Sequence, residues 1–112
     1  MTTKRIVNNT EFALTVILYP RAGQALAPNG APTAPVTLAI NETKFISFPE
    51  ENLNAIKISW LDAGTRCVSE QEVVEKGSWW DQTINDHDMI IFKSVNREDV
   101  EGVFYVDASL QN

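Results

Sequence analysis

The fold class is decided by residues 12–19, which read FALTVILY. Phe12, Leu14, Val16 and Leu18 fall at every second position, and this period of two is typical of a β-strand with one buried face. The stretch is also rich in β-branched and aromatic residues, which favour strands. Residues 12–19 therefore predict a strand that contributes one face to the core.

Similar short apolar patterns follow along the chain, at residues 36–40, 56–60 and 104–110. Residues 68–76 contain helix formers, but they follow a hairpin turn signal and are read as strand. We expect an all-β fold, an antiparallel β-sandwich of about eight short strands, either immunoglobulin-like or jelly-roll. The immunoglobulin signature requires two cysteines and the chain has only Cys67, so the sequence does not choose between the two types.

Length and charge limit the number of domains and the kinds of partner. A chain of 112 residues predicts a single domain, residues 1–112. The net charge is −6, and residues 50–112 carry thirteen of the fifteen acids, which argues against a nucleic-acid partner. The cations Lys4 and Arg5 are not followed by the apolar segment of a signal peptide, and the sequence contains no run that predicts a membrane span. We therefore expect a soluble protein, cytoplasmic or exported without a visible signal peptide.

Two adjacent tryptophans, Trp79 and Trp80, stand next to a polar stretch. If they are extended, one ring enters the core and the other lies outside, because neighbouring strand residues point to opposite faces. An exposed tryptophan beside Asp and Asn side chains is typical of a carbohydrate site, where the ring stacks on a sugar. Trp79, Trp80, Asp81 and Asn85 are therefore the predicted ligand-binding residues of a lectin-like, non-enzymatic module. The alternative is that both rings are partly buried by neighbouring segments.

The polar stretch at residues 81–88 also carries oxygen ligands suited to a cation. Calcium binds carboxylate, amide and carbonyl oxygens on a bent loop, so Asp86 and Asp88 are the predicted metal ligands and calcium the predicted ion. The alternative is a solvated hairpin tip, where Asn and Asp simply favour the turn.

Two other functions stay open. An assembly subunit would form a homo-oligomer through exposed edge strands and the long loop at residues 21–35, with a protein surface rather than a carbohydrate as its partner. A small cation-dependent hydrolase, with Asp86 and Asp88 as paired carboxylates, is the lower alternative. Catalysis is the least favoured class, because a sandwich of this length has little surface for a deep cleft.

Overall fold

The structure is a computed structural model that describes residues 1–23, 26–94 and 104–109, the last range as backbone. These ranges contain β1 (Thr2–Asn9), β2 (Leu14–Arg21), β3 (Val36–Leu38), β4 (Thr43–Phe48), β5 (Asn52–Asp62), β6 (Thr65–Glu72), α1 (Trp79–Asn85), β7 (Met89–Ser94) and β8 (Phe104–Ser109). The prediction of an all-β fold is confirmed, with one short helix added. In this part of the chain, no helix has the length and apolar character that a membrane span requires.

The strands form two four-stranded sheets, ordered β4-β1-β7-β8 and β3-β2-β5-β6. Neighbouring strands are antiparallel except β1 and β7, which run parallel with Ile6 opposite Ile90. The expectation of a purely antiparallel arrangement is therefore wrong at this pair. Parallel neighbours cannot be joined by a hairpin, and the chain between β1 and β7 passes through the whole second sheet and α1.

Both sheets bury side chains in one core. In β2, Leu14, Val16 and Leu18 are fully buried and the residues between them are half-buried, as the period of two predicts. Ile6 and Phe92 enter the same core from the other sheet. Each such side chain contributes about 1.5–3 kcal/mol when it is fully buried, so this core stabilises both sheets.

Strand β2 continues through Pro20 and ends at Arg21, after a shift in its register against β5. The long loop expected at residues 21–35 therefore begins one residue later. Gly30 donates a backbone hydrogen bond to the Pro20 carbonyl, so the loop folds back against the strand it leaves. Residues 24–25 of this loop lie outside the described residues. The shift leaves both Pro20 and Arg21 buried at the end of the strand.

Strand β6 confirms the strand reading of residues 68–76, but only as far as Glu72. It pairs with β5 in an antiparallel register and forms one edge of its sheet. Val73 still donates a backbone hydrogen bond to Asn54, and its side chain is buried. The chain then leaves the sheet and turns into α1, which packs against β5.

Candidate functional site

Helix α1 stands where the sequence predicted extended chain. Ser78 is its N-cap, and the Ser78 hydroxyl accepts a hydrogen bond of 3.2 Å from the backbone N–H of Asp81. Gly77, with a φ of 74°, turns the chain into this cap without the strain that a Cβ would cause. Trp80 and Ile84, one turn apart, are both buried against the core. The extended conformation considered for Trp79 and Trp80 and the alternative of a hairpin tip are both wrong here, because capping and a pair of core contacts favour a short helix.

The two tryptophans occupy different environments. Trp80 is 6% exposed, and its Nε1 donates a hydrogen bond of 3.2 Å to the carbonyl of Gln71. Trp79 is 63% exposed, with its ring centroid 6.1 Å from that of Trp80. One ring therefore lies in the core and the other outside, the division that was considered for an extended chain. The separation arises because successive helical residues point in directions about 100° apart, not from strand alternation.

Arg21 is an almost fully buried cation, and Asp81 is its partner. Nη2 of Arg21 lies 3.0 Å from Oδ1 of Asp81, and the side chains are 2% and 13% exposed. Nη1 donates a hydrogen bond to the carbonyl of Leu53, and the N–H of Gly77 donates to Oδ2 of Asp81. Burial acts to raise the pKa of Asp81, but the hydrogen bonds from Gly77 and Arg21 outweigh it and hold this pKa below its ordinary value of 3.8. Asp81 is therefore ionised at neutral pH.

Asn85 lies one turn after Asp81 and ties α1 to β5. Its Oδ1 accepts a hydrogen bond of 2.6 Å from the N–H of Leu53, and its Nδ2 donates to the Leu53 carbonyl at 3.0 Å. The same Nδ2 lies 2.7 Å from Oδ1 of Asp81. The Asn85 amide thus bonds both the N–H and the C=O of Leu53, as a residue of a neighbouring strand would. Arg21, Asp81 and Asn85 form one network that joins β2, β5 and α1.

A polar pocket of about 330 Å³ opens beside this network, a volume within the range of small-molecule sites. It is lined by Arg21, Asn52, Gly77, Asp81, Gln82, Asn85 and Asp86. The Nε2 of Gln82 donates a hydrogen bond to the Gly77 carbonyl, and the Nδ2 of Asn52 donates one to the Gly23 carbonyl. Among the described residues, the carboxylate of Asp86 and the amide oxygens of Gln82 and Asn52 have no hydrogen-bond partner, so they are available to a ligand.

Helix geometry places Trp79 on the same side of α1 as two residues of the pocket, although Trp79 itself does not line it. Residues three and seven positions apart lie on the same side of a helix, so Trp79 shares a face with Gln82 and with the C-cap residue Asp86. Both of these residues line the pocket. The exposed ring and the available polar groups therefore belong to one surface, which we call the α1 face (Trp79, Gln82 and Asp86).

The two predicted metal ligands have different surroundings. Asp86 lines the polar pocket, whereas Asp88 lines a second pocket with residues of β1 and β4. Burial lowers the pKa of Lys4, and the charges of Asp88 and Asp86 oppose this shift, so both carboxylates act on a cation that the chain itself supplies. Within the described ranges, no group of three or more His, Cys, Asp and Glu side chains is placed to hold a metal ion. A calcium site at Asp86 and Asp88 stays a prediction.

Reasoning from the sequence missed Arg21, Asn52 and Gln82. Arg21 read as a polar residue of the loop, and nothing local indicates that its counterion lies 60 residues further along the chain. The helix itself had a usable signal, because Ser78 and Asp81 stand three positions apart, the spacing at which an N-cap accepts from the first turn. Recognising that signal would have placed Gln82 and Asp86 on the face of Trp79.

No protein-family model, curated protein or solved structure matches this chain. We therefore infer function from the chemistry of the pocket and of the α1 face.

Proposed function

We propose that the protein is a non-enzymatic binding module that recognises carbohydrate at the polar pocket and the α1 face. The observation that carries the proposal is a tryptophan 63% exposed on the same helix face as two polar pocket residues, Gln82 and Asp86. An aromatic ring stacks on the apolar face of a pyranose, while amide and carboxylate oxygens accept hydrogen bonds from its hydroxyls. The pocket supplies the polar contacts, and Trp79, on the same side of α1, supplies the aromatic one.

The charge of the pocket favours a neutral sugar over an anionic one. Arg21 is neutralised by Asp81 at 3.0 Å, so Asp86 is the lining charge without a counterion in the lining, and the cation it acts on, Lys4, lies outside the lining. The net charge of −6 on the whole chain adds to the repulsion of anions. We expect a neutral sugar whose hydroxyls donate to Asp86 and Gln82, and weaker binding of sialylated or phosphorylated glycans.

Three of the predicted ligand-binding residues have a supporting role in this proposal. Asp81 and Asn85 already form hydrogen bonds with Arg21, with the backbone of Leu53 and with each other. The ring of Trp80 is 6% exposed and packs in the core. These residues hold α1 in place, and the direct contacts with the sugar come from the α1 face.

We propose a single domain and a β-sandwich as the scaffold of this site, because both four-stranded sheets bury side chains in one core. The immunoglobulin-like and jelly-roll types are both candidates, and each must accommodate the parallel contact of β1 with β7. A second candidate function, the assembly subunit, is favoured by a separate feature, the edge strand β6.

A glycan array tests the proposal, with neutral, sialylated and phosphorylated glycans on the same surface. Sugars that bind are then titrated in solution against tryptophan fluorescence, because stacking on Trp79 should change its emission. Both measurements are repeated with a chelator. Binding that survives the chelator indicates direct contacts from Asp86, whereas binding that is lost indicates a calcium ion bridging the sugar and the carboxylates.

Trp79→Ala should weaken binding about ten-fold or more, because the stacking surface is removed. Its unfolding by urea should stay close to that of the wild type, since the ring is mostly exposed. Phe45→Ala is the matched control, an aromatic residue 67% exposed that lines the second pocket, and it should bind as the wild type does. Absence of both a glycan signal and a fluorescence response would remove the proposal, as would equal losses in the two variants.

A further inference from the structure

Strand β6 is an open edge of its sheet. It pairs with β5 along its whole length, Thr65–Glu72, and no described strand lies on its other side. Six of its eight side chains are exposed, those of Thr65, Arg66, Val68, Glu70, Gln71 and Glu72. A strand of eight residues with a free edge is a template for pairing with another strand.

The free backbone groups of β6 belong to its even-numbered residues. Val73 donates its N–H to the carbonyl of Asn54 at 2.7 Å, in the same register that pairs β6 with β5. Residues of an antiparallel strand alternate between those that bond a given neighbour and those that do not. Odd-numbered residues of β6 therefore bond β5, and Arg66, Val68 and Glu70 direct their N–H and C=O groups towards the open edge.

The exposed side chains of these three residues form a self-complementary pattern. Along the strand, the cation Arg66 is followed by the apolar Val68, which is 50% exposed, and then by the anion Glu70. The ion pairs found among the described residues involve neither Arg66 nor Glu70. Leu61, which is 65% exposed, stands opposite Arg66 on β5 and extends the apolar surface beside the pattern.

We propose that β6 pairs with β6 of a second copy of this chain, antiparallel and centred on Val68, to form a continuous eight-stranded sheet across a two-fold axis. In this register Val68 lies opposite Val68 of the second copy, and each Arg66 lies opposite a Glu70. Cross-strand pairs of opposite charge stabilise a sheet, and like charges directly opposite destabilise it. The two-fold axis makes both favourable pairs from the same two residues.

Other ways of joining two β6 strands match their side chains less completely. A parallel pairing in register places Arg66 beside Arg66 and Glu70 beside Glu70. An antiparallel pairing centred on Ser69 places Arg66 opposite Glu72 but sets Val68 opposite the charged Glu70, and one centred on Glu70 places that carboxylate opposite itself. Among these arrangements, only the register centred on Val68 combines two Arg–Glu pairs with an apolar pair at the centre, and this combination favours a second copy in that register. Because a single pair of strands buries a small area, we expect a weak dimer in the micromolar range.

This dimer is independent of the proposed carbohydrate site, which lies on α1. Trp79→Ala should leave dimerisation unchanged, and the β6 variants below should leave sugar binding unchanged. Failure of one proposal is therefore distinguishable from failure of the other.

Light scattering after size exclusion, over a range of protein concentrations, tests the dimer. Arg66→Glu and Glu70→Arg each convert two attractive pairs into two repulsive ones, so each variant alone should dimerise about ten-fold or more weakly. Mixed together they should associate again, because every carboxylate of one variant then faces a guanidinium of the other. Far-UV circular dichroism checks that both variants are folded. A wild-type protein that stays monomeric at high concentration, or a mixture that does not associate, would overturn the proposal.

Cysteine cross-linking tests the register. Val68→Cys in a Cys67→Ser background places two thiols on directly opposite residues, about 5.5 Å apart between Cα atoms, which suits a disulfide. Arg66→Cys in the same background is the control, because its two copies are offset by four residues, about 14 Å along the strand. Under mild oxidation the first variant should form a covalent dimer and the second should not. Equal cross-linking of the two variants would contradict the register.

Discussion

Replacing Asp81 with Asn tests whether the buried ion pair holds helix α1 to the sheets. The substitution keeps the shape of the side chain but leaves the guanidinium of Arg21, 2% exposed, without its counterion. The carbonyl of Leu53 at 2.8 Å is then its main partner among the described residues. Removing one member of a buried pair costs about 3–5 kcal/mol, because an uncompensated charge stays inside the protein. We expect a loss in this range for Asp81→Asn.

The partner variant separates the charge from the packing. Arg21→Met should cost less than Asp81→Asn, because Asp81 is nearer to solvent and keeps its hydrogen bonds from Gly77 and Asn85. The double variant carries neither charge. Its loss should fall short of the sum of the two single losses by about 1–3 kcal/mol, which is the coupling between residues in one network.

Urea unfolding followed by circular dichroism measures these losses. With a slope of about 2 kcal/mol per molar urea, a loss of about 4 kcal/mol lowers the midpoint by about 2 M. Glu42→Gln is the control, because the Lys44–Glu42 pair spans 3.6 Å with side chains 44% and 39% exposed. Exposed pairs contribute at most about 1 kcal/mol. A loss for Asp81→Asn no larger than that of the control, with no coupling in the double variant, would refute the reasoning.

Three further predictions concern the same region. Because the pKa of Asp81 is lowered in the fold, its contribution to stability is present above its ordinary value of 3.8 and is lost as the pH falls through the folded value. The free energy of unfolding, measured between about pH 5 and pH 2, should therefore fall less steeply in Asp81→Asn than in the wild type. Trp80→Ala should cost about 3–5 kcal/mol in urea unfolding, because a core ring is removed, while Trp79→Ala should stay within about 0.5 kcal/mol; equal costs would contradict the assigned burial. Ser78→Ala should cost about 0.5–2 kcal/mol and speed amide exchange at Asp81, since the N-cap acceptor is lost, and unchanged exchange there would argue against the cap.

The strands were predictable because alternation is a local property of the chain. Leu14, Val16 and Leu18 are at 0% exposure, in the positions that a period of two assigns to the core. Helix α1 was not predicted, because seven residues are too few for propensity to decide and adjacent tryptophans favour a strand. Its cap at Ser78 and the burial of Trp80 outweigh that preference.

Part of the candidate site was also visible in the sequence. A polar stretch beside two tryptophans indicated where to look, and one ring was expected outside. The residues that shape the pocket were not predictable, because Arg21 and Asn52 come from strands far from α1 in the chain. Nothing near Arg21 shows that it is buried, and nothing near Asp81 shows that its charge is already paired.

Sequence alone determined the all-β class and most of the side chains that fill the core, because burial of alternate residues follows from local patterning. The tertiary structure decided the parallel contact of β1 with β7, the helical turn at Trp79 and the pairing of Arg21 with Asp81. The strand contact and the ion pair join segments distant in the chain, and the helix adds to its local cap the burial of Trp80 in the core. A buried charge in particular is stable only beside a counterion, and the folded chain decides which residue lies beside it.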